Sequence, residues 1–282
     1  MPSTLDLRRR IKSVKNTSQV TKAMQMVAAA KMRKAQAAAL ARRPYQEALG
    51  RVLAAVKGRV DPSAHQLLVV RPVKKELVLI FTTDKGLCGP LNTNLFREVA
   101  SLDRDRTIFV ASGRKATQFI ARTRRNLAGE FTLKDSPHFS QVRPITKFVT
   151  DKFASGEVDQ VQVLYPQFIN TLTQTPTLKT LLPIPLEELN ITGPGNPGEC
   201  LFEPDEKSVL DTILPHYVAF QLWQTMLNFR ASEHSARMVA MKAATDNAKQ
   251  LIKDLTLEYN KVRQANITTE LLEITTAQLA VG

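Results

Sequence analysis

Residues Ile213 to Thr269 read ILPHYVAFQLWQTMLNFRASEHSARMVAMKAATDNAKQLIKDLTLEYNKVRQANITT. Stepping alternately by four and three from Ile213 lands on Tyr217, Phe220, Gln224, Leu227, Ala231, His234, Met238, Met241, Thr245, Ala248, Ile252, Leu255, Tyr259, Val262, Asn266 and Thr269. Twelve of these seventeen positions are apolar, and a heptad stripe sustained this long implies a coiled coil. From Ser208 to Thr276 there is no glycine, and Pro215 is the only proline. The stretch therefore predicts one helix of roughly 69 residues and about 100 Å. That is longer than a chain of 282 residues is wide when folded into one globule, so the helix needs a partner.

The partner is at the other end. From Leu5 to about Lys57 the chain is rich in Ala, Lys, Arg, Met and Gln, with Gly50 and Pro44 as the only breakers. Ser3 with Asp6 three residues on reads as a capping box, Gly58 as a stop, and Pro44 as a kink or interruption. Ile11, Val14, Thr21, Met24, Ala28, Met32, Ala35 and Ala39, then Leu49, Val52 and Val56, form one stripe.

Between the two helices the texture changes. Glu76–Thr83, Thr107–Ser112, Val158–Tyr165 and Thr177–Leu182 are short β-branched and apolar runs that read as strands. Leu91–Leu102, Arg114–Ala121 and Phe139–Phe153 read as helices between them, an alternation that argues for a small, mainly parallel sheet. The expected fold class is α/β: a long antiparallel coiled coil of the N- and C-terminal helices with a central Rossmann-like α/β domain. The expected domains are 1–58 and 208–282 for the coiled-coil helices, 74–183 for the α/β domain and 184–207 for an irregular, Pro/Gly-rich connection.

Composition narrows the function. The net charge is +13, and residues 1–60 hold +12 of it, with fourteen Lys/Arg against Asp6 and Glu47. Acidic company is wanted by the N-terminal helix alone. Neither a membrane-spanning run nor a secretory signal is present in the sequence, and Cys88 and Cys200 are too far from each other and from the four histidines to suggest a metal framework. Gly193, Gly195 and Gly198 satisfy GxGxxG, but Pro194 and Pro197 lie inside it and no helix opens from it, so it reads as a decoy. Gly113-Arg114-Lys115 lacks the spacing of a phosphate-binding P-loop.

Asp84-Lys85-Gly86-Leu87-Cys88-Gly89-Pro90 follows a strand and precedes a helix, where α/β sheets bind ligands; it reads first as a tight turn and second as a cryptic enzyme site. His65, His138 and His216 stand singly, and His234 falls on the heptad seam as a polar, register-setting residue. The basic helix admits two readings, nucleic acid or an acidic protein socket. The first 44 residues contain no aromatic side chain to stack on bases, which favours the socket. Residues Ile274 to Gly282 carry no charge, and Leu271, Leu272, Ile274, Leu279 and Val281 form a greasy end that calls for a receiving sleeve.

Three long segments carry a family resemblance: IKSVKNTSQVTKAMQMVAAAKMRKAQ (Ile11–Gln36), TDKGLCG (Thr83–Gly89), and SEHSARMVAMKAATDNA (Ser232–Ala248) with LTLEYNKVRQANITTELLEI (Leu255–Ile274). Through them the sequence resembles the gamma subunits of F-type ATP synthases along nearly its whole length. The resemblance implies a central rotor shaft inside a ring of alternating alpha and beta subunits, resting on the c-ring beside epsilon. It couples ion flow through the membrane sector to ATP synthesis and hydrolysis.

It further implies that Lys22 and Met24 lie near an acidic lever segment of beta. Arg263 and Gln264 would make polar catch contacts with a beta loop, with Thr268, Thr269 and Glu270 in the neighbouring segment. Leu272, Ile274, Leu279 and Val281 become the bearing tip, and Phe202 and Glu203 part of the foot toward epsilon and the c-ring. No catalytic residue, cofactor or metal is implied in this chain, and no nucleic acid; the expected place is the cytoplasmic face of a bacterial cell membrane, held there through the complex. Pro90 stands where family members often carry glycine, and the cysteine-bearing insert of chloroplast versions is missing.

Overall fold

Helix formers run unbroken until Leu40, and there the first helix stops: α1 spans Thr4–Leu40 and α2 spans Arg43–Lys57. Pro44 is the second residue of α2, where its missing N–H is not needed, so of the two readings the helix is interrupted, with the proline at the start of the second one. A computed structural model describes residues 3–57, 65–132, 138–185 and 206–281, with backbone alone at 43, 54–57, 206, 207 and 279–281. Phe202, Glu203, Cys200 and the GxGxxG glycines lie outside the described residues. The chain forms two units, Met1–Ala28 with Arg237–Gly282, and Ala29–Ala236.

The Ala29–Ala236 unit holds a five-stranded sheet in the order β3-β2-β1-β4-β5. Its strands are β1 (Glu76–Phe81), β2 (Thr107–Ser112), β3 (Asn126–Phe131), β4 (Gln160–Phe168) and β5 (Gln174–Leu182). β1 pairs in parallel with β2 and β4, β2 in parallel with β3, and β5 returns antiparallel on β4. Helices α3 (Leu91–Ser101), α4 (Arg114–Arg122) and α5 (Arg143–Ala154) alternate with the strands as the sequence predicts.

Two cores sandwich the sheet because β1 alternates its side chains. Val78 and Ile80 meet Leu95 and Val99 of α3 and Ile120 of α4, and Phe96 stacks on Phe119 at 4.2 Å. Leu77, Leu79 and Phe81 face Ile145, Val149 and Phe153 of α5. The same core takes the start of α6 (Glu206–Val281), through Leu210, Leu214, Val218, Leu222, Met226 and Phe229. These lie almost entirely at four-residue steps, the ridge by which a helix packs on a neighbour, and the heptad positions Ile213 and Tyr217 pack against the same core only partly buried. β4 and β5 are pinned to the helix by Phe168 N–H donating to Asn228 Oδ1 (2.7 Å) and by the Ser235 hydroxyl donating to Thr171 O (2.7 Å).

Strand β3 is absent from the sequence reading. Its register on β2 slips between Phe109 and Val110, which face Leu127 and Gly129, leaving Ala128 as an extra residue. One bulge and one glycine in six residues erase the period-two pattern.

Candidate functional site

In the unit of Met1–Ala28 with Arg237–Gly282, burial follows the heptad closely. On α6, Met241, Thr245 and Ala248 are buried, and Ile252, Leu255, Tyr259 and Val262 half-buried, the four-three stepping read from the sequence. On α1, Leu7 and Ala28 are buried, while Thr4, Ile11, Val14, Ser18, Thr21 and Met24 are half-buried at the same steps. The Thr21 and Thr245 hydroxyls meet at 2.8 Å in this seam. Each hydroxyl also lies within reach of a carbonyl of its own helix, Thr21 Oγ1 of Ser18 O (3.1 Å) and Thr245 Oγ1 of Met241 O (2.8 Å), so the contact between them marks the register of the seam.

That bond also counts out the two helices. Thr4 lies seventeen residues before Thr21, and Val262, the last half-buried position of α6, lies seventeen after Thr245. The helices are therefore antiparallel, and the seam ends where α1 begins. Ser3 closes that end: its hydroxyl donates to Asp6 Oδ2 (2.7 Å) and accepts the Asp6 N–H (3.1 Å). The Ser3 hydroxyl holds the Asp6 carboxyl below the ordinary aspartate range.

Beyond Val262, α6 continues as a single helix to Val281, about 28 Å at 1.5 Å per residue. Every described side chain from Arg263 to Gln278 is exposed. Ile267, Leu271, Leu272 and Ile274 are apolar among them, the last three at about 60% exposure. So much apolar surface on one unpaired helix marks a surface for a partner. Arg263, Gln264 and Glu270 offer polar contacts there. Thr268 and Thr269 do not donate outward: their hydroxyls bond the carbonyls of Gln264 (2.9 Å) and Ala265 (3.0 Å). Thr276 does the same toward Leu272 (2.8 Å). The side chains of Leu279 and Val281 lie outside the described ones.

Lys22 and Met24 form a separate station. They lie level with Thr245, eighteen residues and about 27 Å along α6 from Arg263. Lys22 is exposed, whereas Met24 is half-buried in the seam. The free apolar side chains near it are Val20, Met26 and Val27, each more than half exposed, and their signal in the sequence is that they are apolar yet off the seam. Arg8, Arg9, Arg10, Lys12, Lys15 and Lys22 are all exposed and, among the described residues, form no ion pair. An acidic surface would meet uncompensated charge.

The Asp84–Pro90 loop belongs to the other unit and is built as a turn. Asn92 Nδ2 donates to Thr83 Oγ1 (2.8 Å) and to the Cys88 sulfur (3.5 Å), and Asp84 Oδ1 accepts the Arg114 N–H (3.0 Å) at the start of α4. Cys88 is buried against Leu91 and Ala236. His234 is buried within the run Arg230–Ala236, in which Arg230 and Glu233 pair at 2.7 Å with both side chains 5% exposed. No described helix is long and apolar enough to cross a membrane.

A family model described as ATP synthase matches residues 3–281. The chain is 50% identical to the ATP synthase gamma chain of Opitutus terrae and 43% identical to that of Methylacidiphilum infernorum, each over the full length of both chains. It is 45% identical to that of Akkermansia muciniphila over 98% of both. Among solved structures it is similar to a chain of the Tetrahymena thermophila mitochondrial ATP synthase central stalk and c-ring, with a TM-score of 0.65 and 26% identity over 80% of this chain and 99% of that one. The fold is also shared with a chain of the Euglena gracilis mitochondrial ATP synthase, with a TM-score of 0.72 and 20% identity over 99% and 94% of the two chains.

Proposed function

The chain belongs to the ATP synthase gamma-chain family, and from that premise we propose how its residues do the work of a central-stalk rotor. Its partners in that role are the alpha and beta subunits, epsilon and the c-ring, and its work is to couple ion flow to ATP synthesis and hydrolysis by turning inside the alpha-beta ring. The observation that supports the mechanism best is the exposed single-helix run of α6 after Val262. A helix with nothing paired to it presents different residues in every direction. Surrounding subunits therefore meet different chemistry at each shaft angle.

In our reading, Arg263, Gln264 and Glu270 engage a beta loop, with Thr268 and Thr269 in the same contact segment. Leu272 and Ile274, and with them Leu279 and Val281, turn in an apolar sleeve. Lys22 acts at a lower station on the acidic face of beta, with Met24 shaping the seam beneath it. Contact at one angle favours one conformation of a beta subunit over another, so rotation moves nucleotide affinity from site to site. This is a binding preference coupled to a conformational equilibrium. The chain itself is non-catalytic: nucleotides are bound and cleaved on alpha and beta.

The helical segments 1–58 and 208–282 serve as the rotor's shaft. The α/β domain, 74–183, takes epsilon and the c-ring together with the connection 184–207, in which Phe202 and Glu203 belong to the foot. We place this chain on the cytoplasmic face of a bacterial cell membrane, peripheral and held there only through the complex.

Reconstitution with isolated alpha and beta subunits tests this. One copy per three alpha and three beta by native mass, with ATP hydrolysis dependent on the chain, is the expected result. Arg263→Ala with Gln264→Ala lowers coupled turnover while the chain stays folded; unchanged ATP synthesis in the assembled complex would sink the assignment of those two residues.

A further inference from the structure

Helix α5 begins with two cations one turn apart, Arg143 and Lys147, and both are exposed. Residues at i and i+4 share a helix face, so the two charges repel, and helix starts disfavour cations in any case. Among the described residues neither forms an ion pair, and Asp151, the one carboxylate of α5, stands a turn beyond Lys147 without pairing to it. Among the described residues no carboxylate compensates the pair, and the Arg143 guanidinium lies 5.8 Å from the centroid of the Phe139 ring.

What the two cations do share is a groove. They flank an opening of about 350 Å³ between α5 and the Pro215–Ala219 stretch of α6, within the Ala29–Ala236 unit. Phe139 and His216 wall it, with ring centroids 5.5 Å apart, and the Tyr45 hydroxyl holds His216 Nε2 at 2.6 Å. Among the described residues no carboxylate lines it. The hydroxyls of Thr146 and Thr150 donate to helix carbonyls, Val142 O at 3.0 Å and Thr146 O at 2.8 Å, so recognition falls to Arg143, Lys147 and the His216 ring.

We infer that this groove binds a phosphate monoester or inorganic phosphate, bridged by Arg143 and Lys147. Two cations match a group carrying about −1.5 to −2 charges at neutral pH better than one carboxylate. The volume lies in the range of small-ligand sites, and the Phe139 ring offers an apolar wall for the organic part of an ester. Phosphate free in solution and phosphate borne by a nucleotide share this chemistry.

Trp223, the only tryptophan, packs edge-on against Phe139 at 5.3 Å and reports on the groove. The full chain is titrated with inorganic phosphate and separately with AMP, over about 0.1 to 30 mM at constant ionic strength, following Trp223 fluorescence and heat of binding. A saturable change is expected, weakened at least about tenfold by Arg143→Gln with Lys147→Gln and unaffected by Lys74→Gln with Lys75→Gln, which removes two exposed charges elsewhere. Lys147→Gln alone, at an exposed position, weakens binding by a smaller factor and serves if the double variant does not fold. AMP binding at least about tenfold tighter than phosphate identifies the nucleotide as source, and equal affinities identify free phosphate. A change that never saturates, or one that the groove variants leave intact, overturns the proposal.

Discussion

Two stretches of α6 are equally helical for opposite reasons. From Val218 to Ala236 nearly every side chain is buried, whereas from Arg263 to Gln278 none is. Between them, Met241 to Val262 buries one stripe in three or four. A single helix thus samples a helix held on nearly all sides, one held along a stripe, and one whose described side chains are all exposed. In the first, stability comes from tertiary packing and sequence variation is expensive; in the last, side chains are free to serve a partner.

The sharpest test of this contrast removes Phe229, which is 1% exposed and stacks on Phe81 at 5.8 Å. Phe229→Ala should destabilise the sheet-bearing unit by about 3–5 kcal/mol, read by urea unfolding with Trp223 fluorescence. Thr245→Val keeps the seam's shape and removes one hydroxyl. It should loosen the two-helix unit by about 1 kcal/mol, visible as faster amide exchange along Met241–Val262 and not in the sheet. Leu272→Ala, at the exposed end, should leave the isolated chain's stability within about 0.5 kcal/mol. If it unfolds the chain, the contrast is wrong; if it lowers turnover of the assembled complex, the contrast has found its purpose.

The smallest effect concerns the start of α1. Because the Ser3 hydroxyl keeps the Asp6 carboxyl below the ordinary aspartate range, the cap contributes at neutral pH and is lost as pH falls through the lowered folded-state value. An NMR titration of the Asp6 carboxyl should show that lowered midpoint, and Ser3→Ala should return it toward the ordinary range.

Much of this was legible. The four-three stepping from Met241 to Val262 is the observed seam, and strand β2, Thr107–Ser112, lies where its β-branched run placed it. The start of α6 was less so. There the heptad positions continue through Tyr217, Phe220 and Gln224, but the fully buried contact with the sheet core runs along Leu214, Val218 and Leu222, since a helix buried on most sides has no single stripe to read. Strand β3 hid behind its Ala128 bulge. At the candidate site, sequence marked the apolar end but not the place where pairing stops, because only the Thr21–Thr245 bond sets the register from which that end is counted.

The threonines of the free run carry one more consequence. Thr268, Thr269 and Thr276 each spend their hydroxyl on a carbonyl one turn back, so these polar groups are already satisfied before any neighbour arrives. Entering a dry surrounding strips little hydration from them, and leaving one neighbour for the next breaks no hydrogen bond that they donate. If this is the surface that changes partners as the shaft turns, as we propose, that keeps the energy landscape smooth: low friction is written into the helix as self-contained polarity.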